Sequence, residues 1–170
     1  MKSISLLILT LFLFGCAGVP SGITPVANFE LDRYLGKWYE IARLDHRFER
    51  GLDQVTADYS MNDDGSVRVT NGGYSAEKKE WKEAIGRARF ASNPEIGHLE
   101  VSFFGPFYAN YVIFELEKTN YEYAFITGNE NTLWLLSRTP QINDSVKEKF
   151  LETARGFGYN TDELIFVQHN

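Results

Sequence analysis

Between Gly36 and Arg138 the chain is a succession of short runs that alternate large apolar residues with polar ones, each closed by turn-forming residues. Strands are predicted at Gly36–Arg43, Gln54–Met61, Ser66–Tyr74, Glu83–Ala91, Leu99–Phe104, Tyr111–Glu117, Tyr121–Thr127 and Thr132–Arg138. The separators are "NDDGS", "SNPEIG", "FGPF", "EKTN" and "GNEN". Several gaps fit hairpin loops, so consecutive strands should be antiparallel neighbours. The period then changes. In "NDSVKEKFLETARGFG" the residues Val146, Phe150, Ala154 and Phe157 recur at helical spacing, Ser145 and Glu148 form a capping-box pattern, and Gly156 or Gly158 can end the helix. "ELIFVQ" reads as a short added strand. A meander of about eight strands has two outlets, a stacked sandwich or a closed up-and-down barrel, and local pattern does not separate them. A single helix after it has only the outside of the sheet on which to bury its apolar stripe.

A chain of 170 residues is one domain by length and can bury a sizeable core without staples. Its net charge of −6 argues against a nucleic-acid partner. The one cysteine, Cys16, excludes an intrachain disulfide. It follows Lys2 and the apolar run Ile4–Phe14, which is too short to span a bilayer comfortably, so residues 1–15 read as a signal peptide. "LFGC" resembles the lipobox of bacterial lipoproteins, in which the cysteine is lipidated and becomes the new N-terminus. Ala17 follows it, and by that resemblance the outer membrane is the destination. Residues 16–28, rich in Gly, Pro and Ser, form the lipidated terminus and a linker; residues 29–170 form the folded domain.

In "LGKWYEIARL" a bulky ring opens a strand beside a glycine, with Glu40 two steps on. This segment resembles the Gly-x-Trp signature of lipocalins, and "LWLLSRTP" resembles their last-strand arginine. The family's middle motif, often Thr-Asp-Tyr, has no counterpart in "FITGNEN". Together with "HRFERGLDQVTADYS", "VSFFGPFYANY", the late helix and the lipobox, the match is to the bacterial outer-membrane lipocalins related to the apolipoprotein D type. The resemblance implies an all-β fold: an eight-stranded antiparallel up-and-down barrel, with one C-terminal α-helix packed outside and a short extra strand. It also implies that Trp38 plugs the closed end, that Arg138 lies over its ring, and that Gly36 lets the chain cross tightly beneath.

With 38, 40 and 42 facing inward, alternation fixes the other walls. The expected ligand-facing residues are Glu40 and Ala42; Val55, Ala57 and Tyr59; Val101 and Phe103; Tyr111 and Ile113; and Trp134 and Leu136. Glu115 should share the face of Tyr111, while Tyr123 and Phe125 are not assigned to either face. A wall of this mixed character suits an amphiphile such as a fatty acid or a lysophospholipid. Around the mouth, Phe48, Trp81, Phe104, Phe107 and Tyr108 either touch a lipid interface or a second subunit, or fold inward over the pocket. His46, Arg47 and Arg50 either meet an anionic headgroup or are simply solvated.

No cofactor or catalytic motif is visible. His46, His98 and His169 lack metal-ligand spacing, and there is no nucleophile elbow or phosphate loop. The expectation is therefore a binding protein whose partners are a lipid ligand and, through its anchor, the membrane, with a homodimer possible. The alternatives are a lipid-modifying enzyme on the same barrel and an interaction protein whose barrel is filled by side chains.

Overall fold

The computed structural model describes residues 19–170, so the signal peptide and Cys16 lie outside the described residues. After a single-turn helix α1 (Leu31–Tyr34) come β1 (Gly36–Leu44), β2 (Leu52–Met61), β3 (Val67–Ser75), β4 (Glu80–Phe90), β5 (His98–Phe104), β6 (Phe107–Leu116), β7 (Tyr123–Asn129) and β8 (Thr132–Ser137). Helix α2 (Asp144–Gly156) and a short strand β9 (Leu164–Phe166) complete the chain. From β1 to β8 each strand pairs antiparallel with the next, and β1 pairs with both β8 and β2, closing the sheet into a barrel. The sandwich alternative is thereby excluded.

Closure is not uniform along the seam. Gly36 to Tyr39 of β1 pair with β2, but from Ala42 to Leu44 the partner is β9. There the C-terminal tail bridges the two strands: Val167 N donates to Ile41 O at 3.0 Å and Gln54 N donates to Gln168 O at 3.0 Å. The barrel is closed by direct pairing at its lower end and by an inserted tail toward its mouth.

Apolar residues fall into two clusters, one inside the barrel and one between its outer wall and α2. Inside lie Trp38, Ala57, Tyr59, Val67, Val69, Ile113, Ile126 and Leu136. Outside, Phe150 and Ala154 of α2 are buried on Ile41, Leu44, Phe125, Leu133 and Leu135. The helix starts earlier than the Ser145/Glu148 capping box predicts. Asn143 is the cap, its carbonyl accepts from Val146 N at 3.0 Å, and its side chain makes no capping bond. At the other end Gly158, with φ +85°, takes the left-handed turn that L residues avoid.

Two inward assignments are corrected, and β-bulges are the reason, since one extra residue flips every side chain beyond it. In β1 the pairing steps from Glu40↔Leu136 to Ala42↔Leu135. Ala42 therefore faces α2 with Leu135, and Arg43, opposite Trp134, turns into the barrel in its place. In β6 the pairing steps from Ile113↔Ile126 to Glu115↔Phe125, so Glu115 points outward and its carboxylate accepts from Lys149 Nζ on α2 at 2.6 Å. On β7 the outward face is Tyr123 and Phe125; Ala124 and Ile126 look in.

The lower end is sealed by one aromatic cluster. Trp38 is fully buried and donates its indole N–H to Tyr34 O at 2.8 Å. The Arg138 guanidinium lies 3.9 Å from the Trp38 ring centroid. It donates to Lys37 O at 2.9 Å, Arg33 O at 2.7 Å and Tyr121 O at 3.3 Å. Gly36 is needed for its backbone, with φ +87°; a Cβ there would meet Arg138 Nη1 only at an ordinary 3.7 Å. The N-terminal segment also belongs to this end. Val26 N donates to Ile113 O at 2.9 Å, and a Cβ on Gly22 would lie 3.7 Å from Phe157, so the chain is packed on the body well before Phe29.

Replacing Arg138 with Met keeps the aliphatic cover but removes the cation–π contact and leaves three carbonyls to other donors. We expect a loss of roughly 2–4 kcal/mol, read from urea unfolding. An unchanged midpoint would show that the guanidinium does not hold this end together.

Candidate functional site

Alternation away from the bulges decides what lines the lumen. Val67 and Val69 are core residues inside the barrel, and the register sets Ala88 opposite Val67 and Gly86 opposite Val69, with Ala84 opposite Asn71. On β3 the next inward residue is Gly73, where an added Cβ would come within 3.2 Å of Val55. This wall, β3 and β4, is built from small side chains. Next to it, Val101 and Phe103 of β5, with Tyr111 of β6 and Trp134 of β8 further round, pack on the inner cluster yet are only partly buried. Partial exposure of inward side chains inside a closed barrel means open space that solvent reaches. A filled barrel would bury them as fully as Ile113 and Ile126, both 0% exposed.

At the floor, three tyrosines join hands. Tyr111 Oη lies 2.7 Å from Tyr34 Oη and 2.8 Å from Tyr59 Oη. Burial is the main cause that pushes all three phenols above their ordinary pKa. They stay protonated at neutral pH and can offer a hydrogen bond to a polar ligand atom, but not a phenolate nucleophile.

Toward the mouth lies a charged group that alternation hid. Arg43, 1% exposed, donates to Glu40 Oε1 at 2.6 Å and to the carbonyls of Glu49 at 2.9 Å and Leu52 at 3.1 Å. Glu49 comes down from the β1–β2 loop, where it meets His46 at 2.7 Å and accepts from Trp134 Nε1 at 3.3 Å. Burial and the charge of Glu49 raise Glu40 well above the usual glutamate value, against the pull of Arg43. Burial alone would raise Glu49 too, yet hydrogen bonding to and the charge of His46 bring it below that value. Their environments thus push the two carboxyls apart, Glu40 upward and Glu49 downward.

Of the sequence-derived lining residues, the barrel brings Glu40, Val55, Ala57, Tyr59, Val101, Phe103, Tyr111, Ile113, Trp134 and Leu136 to its interior. It does not bring Ala42. Sequence reasoning missed Arg43, Glu49, Tyr34 and Asn71; a charged residue inside a strand that is otherwise apolar at "IARL" was the one available signal for Arg43. The other histidines are spent locally. His98 faces Asn110 Oδ1 at 3.1 Å, and His169 lies 2.7 Å from Glu40 O. The mouth aromatics do not fold inward: Phe48, Trp81, Phe104 and Phe107 are all exposed, and Phe48 stacks on Phe104 with centroids 6.0 Å apart. Trp81 and Tyr108 sit on the outer wall, Trp81 beside Tyr74 and Tyr108 beneath the Arg89 guanidinium, 4.0 Å from its ring centroid.

Residues 29–169 match the profile described as a Lipocalin-like domain. The chain is 54% identical over 169 residues to the "Outer membrane lipoprotein Blc" of Vibrio cholerae, covering 99% of each. It is 48% identical over 150 residues to the protein of the same name from Escherichia coli, covering 88% of this chain and 84% of that one. Among solved structures, insecticyanin from the tobacco hornworm superposes with a TM-score of 0.70 at 19% identity, over 90% of this chain and 87% of that one, a likeness of fold.

Raised in the fold, Glu40 contributes stability that is complete below the ordinary glutamate pKa, about 4.3, and is lost as pH rises through its raised value. Glu49, depressed, acts in the opposite sense, and its share is lost only as pH falls through its lowered value. Glu40→Gln, which cannot ionise, should therefore gain on the wild type as pH rises above the ordinary glutamate range, read as urea midpoints. Parallel pH profiles would show that Glu40 is ionised throughout.

Proposed function

The chain belongs to the lipocalin family, and on that premise we propose that it is a membrane-anchored carrier of lipid amphiphiles in the cell envelope: fatty acids, lysophospholipids or similar molecules. The observation that carries this reading is the incomplete burial of the inward Val101, Phe103, Tyr111 and Trp134 in a barrel whose β4 turns only Ala84, Gly86 and Ala88 inward. The lumen has apolar walls between protonated tyrosines at the floor and a charged group toward the mouth. An acyl chain gains about 0.8 kcal/mol for each methylene it buries, enough for micromolar binding after the entropic cost of association.

The relatives' name, outer membrane lipoprotein, supports placing this chain at the outer membrane, and Cys16 is the residue that would carry the lipid. We assign residues 1–15 to the signal peptide and the anchor to the periplasmic face. Binding rather than catalysis is favoured because the lumen's hydroxyls are tyrosines held protonated, and its buried carboxylate Glu49 is tied to His46 and Trp134.

Titrating the soluble domain with a fluorescent fatty acid tests the reading. The wild type should bind at micromolar concentration with quenching of Trp134, and Val101→Trp, which fills the lumen, should lower affinity by about tenfold or more. No binding by a folded wild type would leave the filled-barrel protein as the alternative. Product analysis of the bound lipid checks for turnover. The exposed rim adds an expectation: Phe104→Ser with Phe107→Ser should slow lipid uptake from vesicles while leaving the affinity for dispersed ligand unchanged, measured by stopped-flow fluorescence. Equal rates would remove the rim from transfer.

A further inference from the structure

The segment read as a free linker is mostly part of the body. Val26 N donates to Ile113 O of β6 at 2.9 Å. A Cβ on Gly22 would lie 3.7 Å from the Phe157 ring, which meets Phe114 of the same strand edge-on with centroids 5.9 Å apart. Ahead of these, Ile23 N donates to Pro20 O at 3.2 Å, so a turn begins at Pro20. Only four peptide steps separate Pro20 from Cys16, and fully extended they span about 14 Å. An acyl anchor on Cys16 therefore keeps the β6 side of the barrel at the headgroups. It does so near the floor end of that strand, where Ile113 and Phe114 lie.

The mouth end of the same strand carries an exposed aromatic tip. Phe107 opens β6 and is 79% exposed; Phe104, paired with it across the turn, is 67% exposed, and Phe48, stacked on Phe104, is 61% exposed. Cations stand beside these rings. The Arg47 guanidinium lies 4.7 Å from the Phe48 centroid and makes no ion pair among the described residues. Arg89 covers Tyr108 at 4.0 Å. Rings flanked by cations settle at a bilayer surface, the rings at the acyl boundary and the guanidiniums on phosphates. From Phe107 to Ile113 the strand advances six residues, roughly 20 Å. Tether and aromatic tip thus stand at two ends of one strand, on one side of the barrel.

We propose that the partner of this rim is the bilayer that carries the protein's own anchor. The barrel lies with its β6 side along the membrane, held at the floor end through Cys16 and at the mouth end by Phe48, Phe104 and Phe107. The inference rests on the anchor assigned to Cys16 and adds an orientation to it. Standing on its floor, the barrel would lift the rim roughly 20 Å from the headgroups. Lying on β6, it brings the edge of the mouth to them, and a tail leaving the bilayer reaches the lumen by a short path through water. The short tether keeps the rim's effective concentration at the membrane high, so weak aromatic contacts suffice.

The test uses the full chain extracted from membranes and reconstituted in vesicles of phosphatidylethanolamine and phosphatidylglycerol. Acylated Cys16 offers no thiol, so Phe107→Cys and Asp63→Cys each create a single site for pyrene. Asp63 lies in the β2–β3 turn, at the floor end and across the barrel from β6. Urea midpoints matching the wild type report that both labelled chains are folded. Lipids bearing a nitroxide near the headgroup should quench pyrene at 107 about threefold more than at 63. Inserting about ten Gly and Ser residues between Cys16 and Pro20 should lower the quenching at 107. Equal quenching at the two sites, or none at 107, overturns the orientation and leaves the carrier standing. Quenching unchanged by the longer tether overturns it as well. Pyrene excimer emission from 107 in place of quenching assigns the rim to a second copy, and the proposal falls. An extracted protein whose mass lacks acyl chains fails the anchor reading itself, and the orientation goes with it.

Discussion

One guanidinium fixes the frame in which everything else is placed. Arg138 leaves the end of β8, covers the Trp38 ring, and donates to carbonyls from α1, β1 and the β6–β7 loop. Those carbonyls lie where no ladder can satisfy them, because α1 ends and β1 begins with Gly36 at a positive φ. A planar donor fork with a permanent charge meets several acceptors and an aromatic face at once, which an ammonium cannot do. With that end pinned, Trp38, Tyr34 and Phe29 form a packed floor, and the strands above are free to diverge.

The gross fold was legible because strand alternation and turn residues are local signals, and the pair Trp38 and Arg138 tied the two ends of the meander together. What was not legible was anything that depended on a bulge. Ala42 and Glu115 follow the same alternation as their neighbours in sequence, and only the register against β8 and β7 shows the extra residue that turns each outward. The same insertion brings Arg43 inside, so one bulge hid both a wrong residue and the right one. Tyr121 illustrates another limit. It accepts from Glu30 N at 3.1 Å and lies under Arg33, so it belongs to the sealed end, yet its triplet Thr119-Asn120-Tyr121 sits one loop before the stretch where a middle motif was sought.

The two walls of the lumen divide the work between them. Aromatic and branched side chains on β5, β6 and β8 give contact area, while Gly73, Ala84, Gly86 and Ala88 on β3 and β4 give room. Small residues inside strands normally weaken a sheet, since they pack poorly and cost backbone entropy. Here β3 and β4 offset this with an uninterrupted ladder from Val67↔Ala88 to Ser75↔Glu80.

The buried charges at the mouth answer a structural need before any functional one. Where β2 leaves β1, the carbonyls of Glu40 and Leu52 lose the partners a continuous ladder would give, and in the loop between the strands the Glu49 carbonyl accepts from Leu52 N at 3.0 Å with room for a second donor; the three acceptors are Glu40, Glu49 and Leu52. Arg43 reaches the last two and His169 faces the first. An arginine brought inside for that purpose requires a counter-charge, because removing one partner of a buried pair costs about 3–5 kcal/mol. Glu40 lies three residues away and provides an acceptor at 2.6 Å. Glu49 then adds a second carboxyl, which raises Glu40 further, while its own side chain is held by His46 at 2.7 Å and Trp134 Nε1 at 3.3 Å. The network is closed except at one donor: Nη1 and Nη2 of Arg43 are engaged, while its Nε is buried without a hydrogen-bond partner.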